Sequence, residues 1–315
     1  MTFIICEVGS NWTSFEDAKD SITMAKNCGA DAVKFQMFSV NELYGLRGHY
    51  GYADTDVTHD PIKEWLPKLK EKADACGIEF MCTAFSPEGL RYLDPYVKRH
   101  KIASSDLSYP ELLRTAAETG KPIFLSTGGC SLGDIDCALN VLGDSSVVPL
   151  YCVSNYPAKN VNLFSLDVLS KHVDRPVGYS CHTTDWYTPV SAVKHHSAVV
   201  IEKHFKLRDM DTPDSAHSLL PDDFKRMVDS IRGEVRCSFP DPQELEFRLK
   251  HKRRLVAITD IKKGEKLVYN IQYGVYRSLV EDYDGLTGFA VDVVNGKLAS
   301  KDIKAGEPIG PNSFS

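Results

Sequence analysis

The amino-acid sequence predicts an α/β protein whose main domain is a closed (β/α)₈ barrel, the TIM-barrel fold, followed by a small β-rich domain. A short apolar strand and an amphipathic helical stretch alternate eight times through residue 236. The strands are almost continuously apolar, which is typical of parallel strands covered by helices. No glycine-rich nucleotide-binding motif follows the first strand, where an open doubly wound sheet tends to carry one. Eight such units favour a closed barrel.

The predicted strands recur along the whole barrel region. They are residues 3–9, 32–38, 79–85, 98–104, 122–127, 147–154, 176–182 and 198–205. Helical stretches follow them, among others at residues 14–28, 61–76, 109–119 and 221–232. The first two of these stretches are followed directly by glycine, a residue at which helices commonly stop.

The alternation of strands and helices ends after the barrel region. We predict a barrel domain at residues 1–236, a linker at 237–250 and a small β-rich domain at 251–315. Two segments of the small domain echo each other, 260–265 (DIKKGE) and 302–307 (DIKAGE). A domain of this size is marginal by itself, so we expect it to lean on a larger surface.

Composition and charge exclude several classes of function. The chain is 43% hydrophobic and 25% charged, as ordinary soluble proteins are. Its formal charge of −6 argues against general binding of nucleic acid, and no apolar run is long enough to span a membrane. Nine cysteines without CxxC pairs indicate free thiols. With no signal-peptide pattern at the start, we expect a cytoplasmic protein.

Polar side chains stand at the ends of seven of the predicted strands. In a (β/α)₈ barrel the working residues lie at these carboxyl ends and on the loops beyond them. A single polar group there could simply reach solvent, but so many together predict a binding or catalytic site, because buried polar groups need partners or ligands. The side chains are Glu7, Lys34, Gln36, Thr83, Lys101, Ser104, Ser154, Tyr156, Ser180, His182, Glu202 and His204.

Two histidines predict a metal site. His182 and His204 are 22 residues apart, about one strand–helix unit, and therefore end neighbouring strands. Two imidazoles at one mouth can bind a divalent metal and leave positions open for oxygen ligands. Mn²⁺ or Mg²⁺ suits such a mixed site, and the ligand type leaves Zn²⁺ open. Other histidines are weaker candidates, since His195 and His196 fall in a helix and His217 falls in a loop.

The lysines at the strand ends predict an anion site. Lys34 and Lys101, with the hydroxyl groups of Thr83, Ser104 and Ser180, offer the charge and the donors that a phosphate plus a carboxylate needs. In a rival interpretation one of these lysines is the Schiff-base nucleophile of an aldolase. The spacing of the residues does not separate the two interpretations.

Eight short motifs occur in order at these strand ends. They are residues 6–9 (CEVG), 29–36 (GADAVKFQ), 82–86 (CTAFS), 101–104 (KIAS), 125–128 (LSTG), 154–157 (SNYP), 177–183 (VGYSCHT) and 201–205 (IEKHF). In that order they resemble the N-acetylneuraminate (sialic acid) synthase family, which includes the legionaminic and pseudaminic acid synthases. Residues 252–255 (KRRL) and the two DIK-x-GE segments resemble the antifreeze-like (SAF) domain of that family.

The resemblance implies a transferase that condenses phosphoenolpyruvate with an open-chain (acyl)amino sugar aldehyde and releases phosphate and a 2-keto-3-deoxy sugar acid. It implies that His182 and His204 hold the divalent metal. The positions that match phosphoenolpyruvate ligands are Lys34, Thr83, Lys101, Ser104, Ser154 and Ser180. The positions that match residues at the sugar or in proton transfer are Glu7, Gln36, Asp106, Tyr156, Asp214 and Arg277.

The resemblance also implies a domain-swapped homodimer, in which the antifreeze-like domain lends Arg277 to the partner's barrel. We predict that Glu7, Asp106, Lys34 and Lys101 take part in catalysis, and that Gln36, Tyr156, Asp214 and Arg277 bind the sugar.

The chain departs from the family pattern on the sugar side. The family usually has Asn-His after the first Gly-x-Asn region, whereas the loop here reads Gly9-Ser10-Asn11-Trp12-Thr13-Ser14. Asp106 stands where many members carry Glu. Cys181 replaces the usual Asp before His182, and its alternation with its neighbours predicts a buried structural thiol. These changes leave the acceptor sugar open. A sugar-binding homologue without catalysis is the remaining alternative, and the retained histidines and lysines count against it.

Overall fold

The computed structural model describes residues 2–39, 43, 61–233, 253–277 and 285–315. The chain forms two compact units, Met1–Gly233 and Glu234–Ser315. The predicted linker at 237–250 lies outside the described residues, as does much of the segment between the second and third strands.

The first unit is a closed barrel of eight parallel strands, which confirms the predicted fold. The strands are β1 Phe3–Gly9, β2 Ala32–Met37, β3 Glu79–Ala84, β4 His100–Ile102, β5 Ile123–Ser126, β6 Val147–Cys152, β7 Gly178–Cys181 and β8 Val200–His204. β1 pairs with β2 on one side and with β8 on the other, so the sheet has no free edge. β4 is shorter than predicted because residues 104–106 turn into a 3₁₀ helix.

Helices cover the outside of the barrel. They are α1 Phe15–Asn27, α2 Pro61–Cys76, α3 Pro87–Leu93, α4 Pro110–Glu118, α5 Leu132–Leu142, α6 Phe164–Val173, α7 Tyr187–His196 and α8 Pro221–Arg232. α1 begins at Ser14, whose hydroxyl accepts a hydrogen bond from the backbone N–H of Asp17, as favourable N-caps do. None of the helices in the described ranges is long and apolar enough to cross a membrane.

Alternation along the strands divides the apolar side chains between two layers. In β1, Ile4, Cys6 and Val8 pack in the large core between the strands and the helices. Ile5 belongs to a smaller cluster inside the barrel, with Ala32, Met81, Phe124, Leu150 and Val200. The register then places Glu7, one layer nearer the carboxyl ends, beside Lys34 of β2 and His204 of β8. The barrel interior is therefore apolar in the layer of Ile5 and polar at the carboxyl ends of the strands.

The second unit has its own small core. β9 Arg254–Ala257 and β10 Tyr273–Tyr276 form an antiparallel pair, and α9 Val291–Val294 is a single turn. The two echoing segments of the sequence face each other through a bridge between Ile261 and Ile303. Their ion pairs are reciprocal: Lys262 Nζ lies 3.0 Å from Asp302 Oδ2 and Lys304 Nζ 2.7 Å from Asp260 Oδ2. The assignment of this unit to the antifreeze-like type stays a prediction.

The cysteines in the described part of the chain are all free: Cys6, Cys28, Cys76, Cys82, Cys130, Cys137, Cys152 and Cys181. Cys181 is fully buried, with its thiol 3.2 Å from the hydroxyl of Thr183. It does not line the cavity described below, as the alternation in β7 predicts.

Gly178, at the start of β7, provides a test of how tightly the barrel interior is packed. A Cβ atom there would lie 2.5 Å from Leu150 Cδ2 and 2.7 Å from the carbonyl oxygen of Val200. We expect Gly178→Ala to destabilise the protein by about 1–3 kcal/mol, the usual cost of overpacking. Urea denaturation measures the change. Gly133→Ala is the control, because its Cβ would approach only Ser131 Oγ, at 3.8 Å. Equal stability of the two variants would contradict the close packing.

Candidate active site

A cavity opens at the carboxyl ends of the barrel strands and collects most of the predicted site residues. The predicted residues that line it are Glu7, Lys34, Gln36, Thr83, Lys101, Ser104, Tyr156, Ser180, His182, His204 and Asp214. The lining also includes Glu202, another of the polar strand-end residues, and His217, a weaker metal candidate by sequence. Ser126 and Cys152 line it as well, without a role predicted from the sequence.

Two predicted residues of the first unit do not line this cavity, Ser154 and Asp106. Ser154 lines a neighbouring pocket beyond β6, although its hydroxyl hydrogen-bonds the thiol of Cys152 at the cavity wall. Asp106 lies on the 3₁₀ turn after β4, and burial raises the pKa of its carboxyl group to about 6. Arg277 belongs to the second unit, directly after β10, and is exposed.

Two lysines and two glutamates form a buried charge network at the centre of the cavity. Lys34 Nζ lies 2.7 Å from Glu7 Oε2 and donates to Thr83 Oγ1 at 3.1 Å. Glu202 lies between the two lysines, with Oε2 3.7 Å from Lys34 Nζ and Oε1 3.8 Å from Lys101 Nζ. Each of the four side chains is no more than 5% exposed. Buried charges persist only when they are paired, so the four groups depend on one another.

The two glutamates of this network have different protonation behaviour. Burial raises the pKa of Glu7 to about 7, and the charge of Lys34 only partly opposes it. Burial acts on Glu202 as well, but Lys101 and Lys34 outweigh it and hold the pKa of Glu202 below its ordinary range. Ser180 Oγ donates to Glu202 Oε1 at 3.0 Å, and Gln36 Nε2 donates to Glu7 Oε1 at 2.8 Å. Neighbouring carboxyl groups with separated pKa values are suited to acid and base roles.

The two lysines differ in the same way. Glu202 and Glu7 overcome the effect of burial on Lys34, and its pKa is raised. For Lys101 burial dominates, and its pKa is lowered despite the charge of Glu202. Lys101 Nζ also donates to the carbonyl oxygen of Ile102 at 3.1 Å.

The predicted metal ligands lie side by side at the other wall of the cavity. The ring centroids of His182 and His204 are 5.4 Å apart. His182 Nδ1 lies 2.9 Å from the carbonyl oxygen of Val153, which leaves Nε2 as the nitrogen available to a ligand. Burial lowers the pKa of His182 to about 4 and also lowers that of His204, so both rings are neutral, as metal binding requires.

His217 adds a third imidazole. It ends a 3₁₀ turn at Ser215–His217, and its ring centroid is 4.3 Å from that of His204. His204, Asp214 and His217 each offer one ligand atom, all within 4.8 Å of one another, and could hold a metal ion. By sequence His217 is a weak candidate, because it falls in a loop. The position of that loop, directly beyond β8, is the signal that could have promoted it.

The loop after β1 fixes the loop after β8. The backbone N–H and the hydroxyl of Ser10 both donate to Asp214 Oδ2 at 2.8 Å. Asn11 Nδ2 donates to the carbonyl oxygen of Phe205 at 2.9 Å. Gly9 has φ +55°, and a Cβ atom on it would lie 2.3 Å from Asp214 Oδ2. The segment Gly9-Ser10-Asn11 thus positions Asp214.

Comparisons with known proteins show which family the chain resembles. The sequence profile of the NeuB family matches residues 21–237. The chain is 34% identical over 298 residues to N,N'-diacetyllegionaminic acid synthase of Legionella pneumophila, covering 84% of this chain and 82% of the relative. It is 31% identical over 340 residues to pseudaminic acid synthase of Campylobacter jejuni, covering 99% and 96%.

A solved structure agrees in fold. The crystal structure of N-acetylneuraminic acid (sialic acid) synthetase from Leptospira borgpetersenii, determined in complex with citrate, superposes with a TM-score of 0.68 and 28% sequence identity. The match covers 78% of this chain and 91% of that chain.

The charge network generates a stability prediction. We expect Lys34→Met to destabilise the barrel by about 3–5 kcal/mol, because it leaves buried carboxylates without their partner. The loss should be smaller at pH 5 than at pH 8, since Glu7, whose pKa is already about 7, can then escape its charge by protonation. Chemical denaturation at both pH values measures it.

Two further variants control this measurement. Adding Glu7→Gln to Lys34→Met should restore part of the loss, since the unpaired carboxylate is gone. Lys225→Met removes an exposed ion pair with Asp229 and should change stability by less than about 1 kcal/mol. Equal effects of Lys34→Met and Lys225→Met would contradict the network.

Proposed function

This chain belongs to the NeuB family, and from that premise we propose that it condenses phosphoenolpyruvate with an open-chain acylamino sugar aldehyde in a reaction that depends on a divalent metal. The products are phosphate and a 2-keto-3-deoxy sugar acid of the nonulosonate type. The observation that carries the proposal is one cavity that holds a buried lysine–glutamate network beside a cluster of neutral imidazoles.

The network side of the cavity would hold phosphoenolpyruvate. Lys34 and Lys101 supply positive charge, and Thr83, Ser104 and Ser180 supply hydroxyl donors. Ser126 adds a buried hydroxyl group that has no hydrogen-bond partner among the described residues. An anionic ligand would also favour the charged form of Lys101, whose pKa burial lowers in the free protein. Ser154 would bind phosphoenolpyruvate from the edge of the cavity, next to Cys152.

The imidazole side would hold the metal through His182 and His204. Both rings fit the role, because they are neutral and His204 Nδ1 is buried without a hydrogen-bond partner among the described residues. Mn²⁺ or Mg²⁺ is the proposed ion, because oxygen ligands would complete the site. When bound, the ion supplies Lewis-acid polarisation of the sugar's aldehyde oxygen.

In the proposed reaction, the enol carbon of phosphoenolpyruvate attacks the aldehyde carbon, water adds at the adjacent carbon, and phosphate leaves by C–O cleavage. Lys34 and Lys101 hold the phosphate and carboxylate in register with the aldehyde. Glu7, whose pKa is about 7, can exchange a proton with the developing hydroxyl group or with the water. Asp106 is a second proposed proton carrier, with a pKa of about 6, on the turn next to the cavity.

The sugar would lie against Gln36, Tyr156 and Asp214. The ring of Tyr156 lies 4.3 Å from that of His182 and stays 58% exposed, so it can form an apolar wall for a sugar ring. We propose that Arg277 completes the site from the partner of a domain-swapped homodimer, and that the second unit is the antifreeze-like domain that carries it. The proposed setting is the cytoplasm.

One observation favours a second candidate function. The lowered pKa of Lys101 is the property that a Schiff-base lysine needs, so an aldolase on the same barrel remains the alternative. Such an enzyme would retain its activity in EDTA, and borohydride would trap its carbonyl substrate on Lys101.

Phosphate release tests the proposal. We expect the protein with Mn²⁺ to release phosphate from phosphoenolpyruvate in the presence of one member of a panel of acylamino aldoses, including N-acetylmannosamine and its deoxy-amino relatives. EDTA and His204→Ala should abolish release, whereas His195→Ala, which removes an exposed imidazole from α7, should not. Release that persists in EDTA would overturn the metal dependence. If neither phosphoenolpyruvate nor metal binds, the catalytic proposal fails.

Mixing two inactive variants tests the swapped dimer. Arg277→Ala should lower activity without unfolding the barrel, and His204→Ala should remove it. If Arg277 acts on the partner's barrel, subunit exchange creates some heterodimers with one intact site, and activity should partly return. No recovery after exchange has been verified by mass spectrometry would mean that each site is built within one chain.

A further inference from the structure

His217 is buried in a way that is unusual for a structural histidine. It is 1% exposed and lines the cavity, yet neither of its ring nitrogens has a hydrogen-bond partner among the described residues. Leaving a buried polar group unpaired costs about 1–3 kcal/mol. His100 shows the ordinary solution at the same burial, because its Nε2 lies 2.9 Å from Asp94 Oδ1.

A neighbouring imidazole also has a buried nitrogen without a hydrogen bond to the described residues. His204 Nδ1 is also buried without a partner in the described part of the chain. The carboxylate of Asp214 approaches both rings, with Oδ1 3.8 Å from His217 Nε2 and Oδ2 3.9 Å from His204 Nδ1, too far for hydrogen bonds. The three groups converge without hydrogen-bonding one another, as ligands of a shared ion would.

The distances suit a cation after small movements. The three ligand atoms lie within 4.8 Å of one another. Two atoms that each bind one ion at about 2.0–2.2 Å are at most about 4.4 Å apart, so side-chain shifts of a few tenths of an ångström are enough. The His182 ring faces the same space, 5.7 Å from that of His217.

The backbone that carries His217 is held in place. Lys203, fully buried in β8, donates through Nζ to the carbonyl oxygen of His217 at 3.2 Å and also contacts the carbonyl oxygen of Thr183. Lys203 thus ties the loop of His217 to the loop that follows His182. Ser10 fixes Asp214 from the opposite side. Such supports keep ligands oriented before an ion arrives.

We propose that His217 is a third imidazole ligand of the metal held by His182 and His204, with Asp214 supplying an oxygen ligand, and that the added nitrogen makes the centre prefer Zn²⁺ or Co²⁺ over Mn²⁺ and Mg²⁺. Imidazole favours the later first-row ions, whereas carboxylate and water favour Mg²⁺ and Mn²⁺. The inference rests on the proposed function only in expecting a metal at this end of the barrel. It gives that metal a different ligand set and identity from those of a two-histidine site.

Metal binding by the full-length apoprotein tests the inference without any substrate. His217→Phe keeps an aromatic ring in the cluster and removes both nitrogens, and His195→Ala is the matched control that removes an exposed imidazole. Calorimetric titration with ZnCl₂ should give a Kd weakened by at least roughly 10- to 100-fold in His217→Phe. The Kd for Mn²⁺ should weaken less, so that the preference for Zn²⁺ falls, and His195→Ala should match the unaltered protein.

Pulsed EPR of bound Mn²⁺ provides an independent count. The spectrum of the unaltered protein should contain one more imidazole ¹⁴N coupling than that of His217→Phe. If the Phe variant unfolds, as judged by circular dichroism, His217→Gln replaces it, because the amide also lacks an imidazole nitrogen. Unchanged Zn²⁺ affinity together with an unchanged nitrogen count would overturn the inference and leave His217 as a packing residue.

The outcome is separable from that of the proposed function. If phosphate release fails but Zn²⁺ binding depends on His217, the metal centre stands and the reaction is wrong. If phosphate release requires a metal whose binding ignores His217, the reaction stands and the ligand assignment is wrong.

Discussion

Four charged side chains lie buried together at the mouth of the barrel, and each is tolerated there because the others balance its charge. Glu7 and Glu202 would be unstable as anions without Lys34 and Lys101, and the lysines would lose their charge without the glutamates. The barrel register sets this balance, since it places Glu7 beside Lys34. The proposed anion site and the separated pKa values of the glutamates both depend on that one arrangement.

Much of this architecture can be predicted from the sequence, because it follows from periodicity. Eight apolar strands that alternate with helical stretches favour a closed barrel. The two-residue alternation of a strand places Lys34 and Gln36, or Ser180 and His182, on the same face. Strand ends therefore locate most of the cavity lining. The same rule explains the burial of Cys181 away from the cavity.

The loop residues could not be predicted in this way. His217 lies on a loop that Lys203 of β8 holds through the carbonyl oxygen of His217. Asn11 donates to the carbonyl oxygen of Phe205 at the start of that loop, a contact between residues 194 positions apart. Ser104 and Asp106 lie two residues apart on the same 3₁₀ turn after β4, yet only Ser104 lines the cavity. Opposite pKa shifts of two chemically identical glutamates likewise depend on distances that periodicity does not contain.

The hydrogen bonds between the loop after β1 and the loop after β8 have a consequence for the synthesis of the protein. Ser10 and its partner Asp214 are separated by 204 residues, and β1 finds β8 only after the intervening strands exist. Long-range closure of this kind comes late in folding, because the entropy of the connecting chain must be overcome first. A ribosome must therefore translate almost the entire barrel before the imidazoles and Asp214 meet. Until then the emerging polypeptide has no assembled centre at which an ion could be captured.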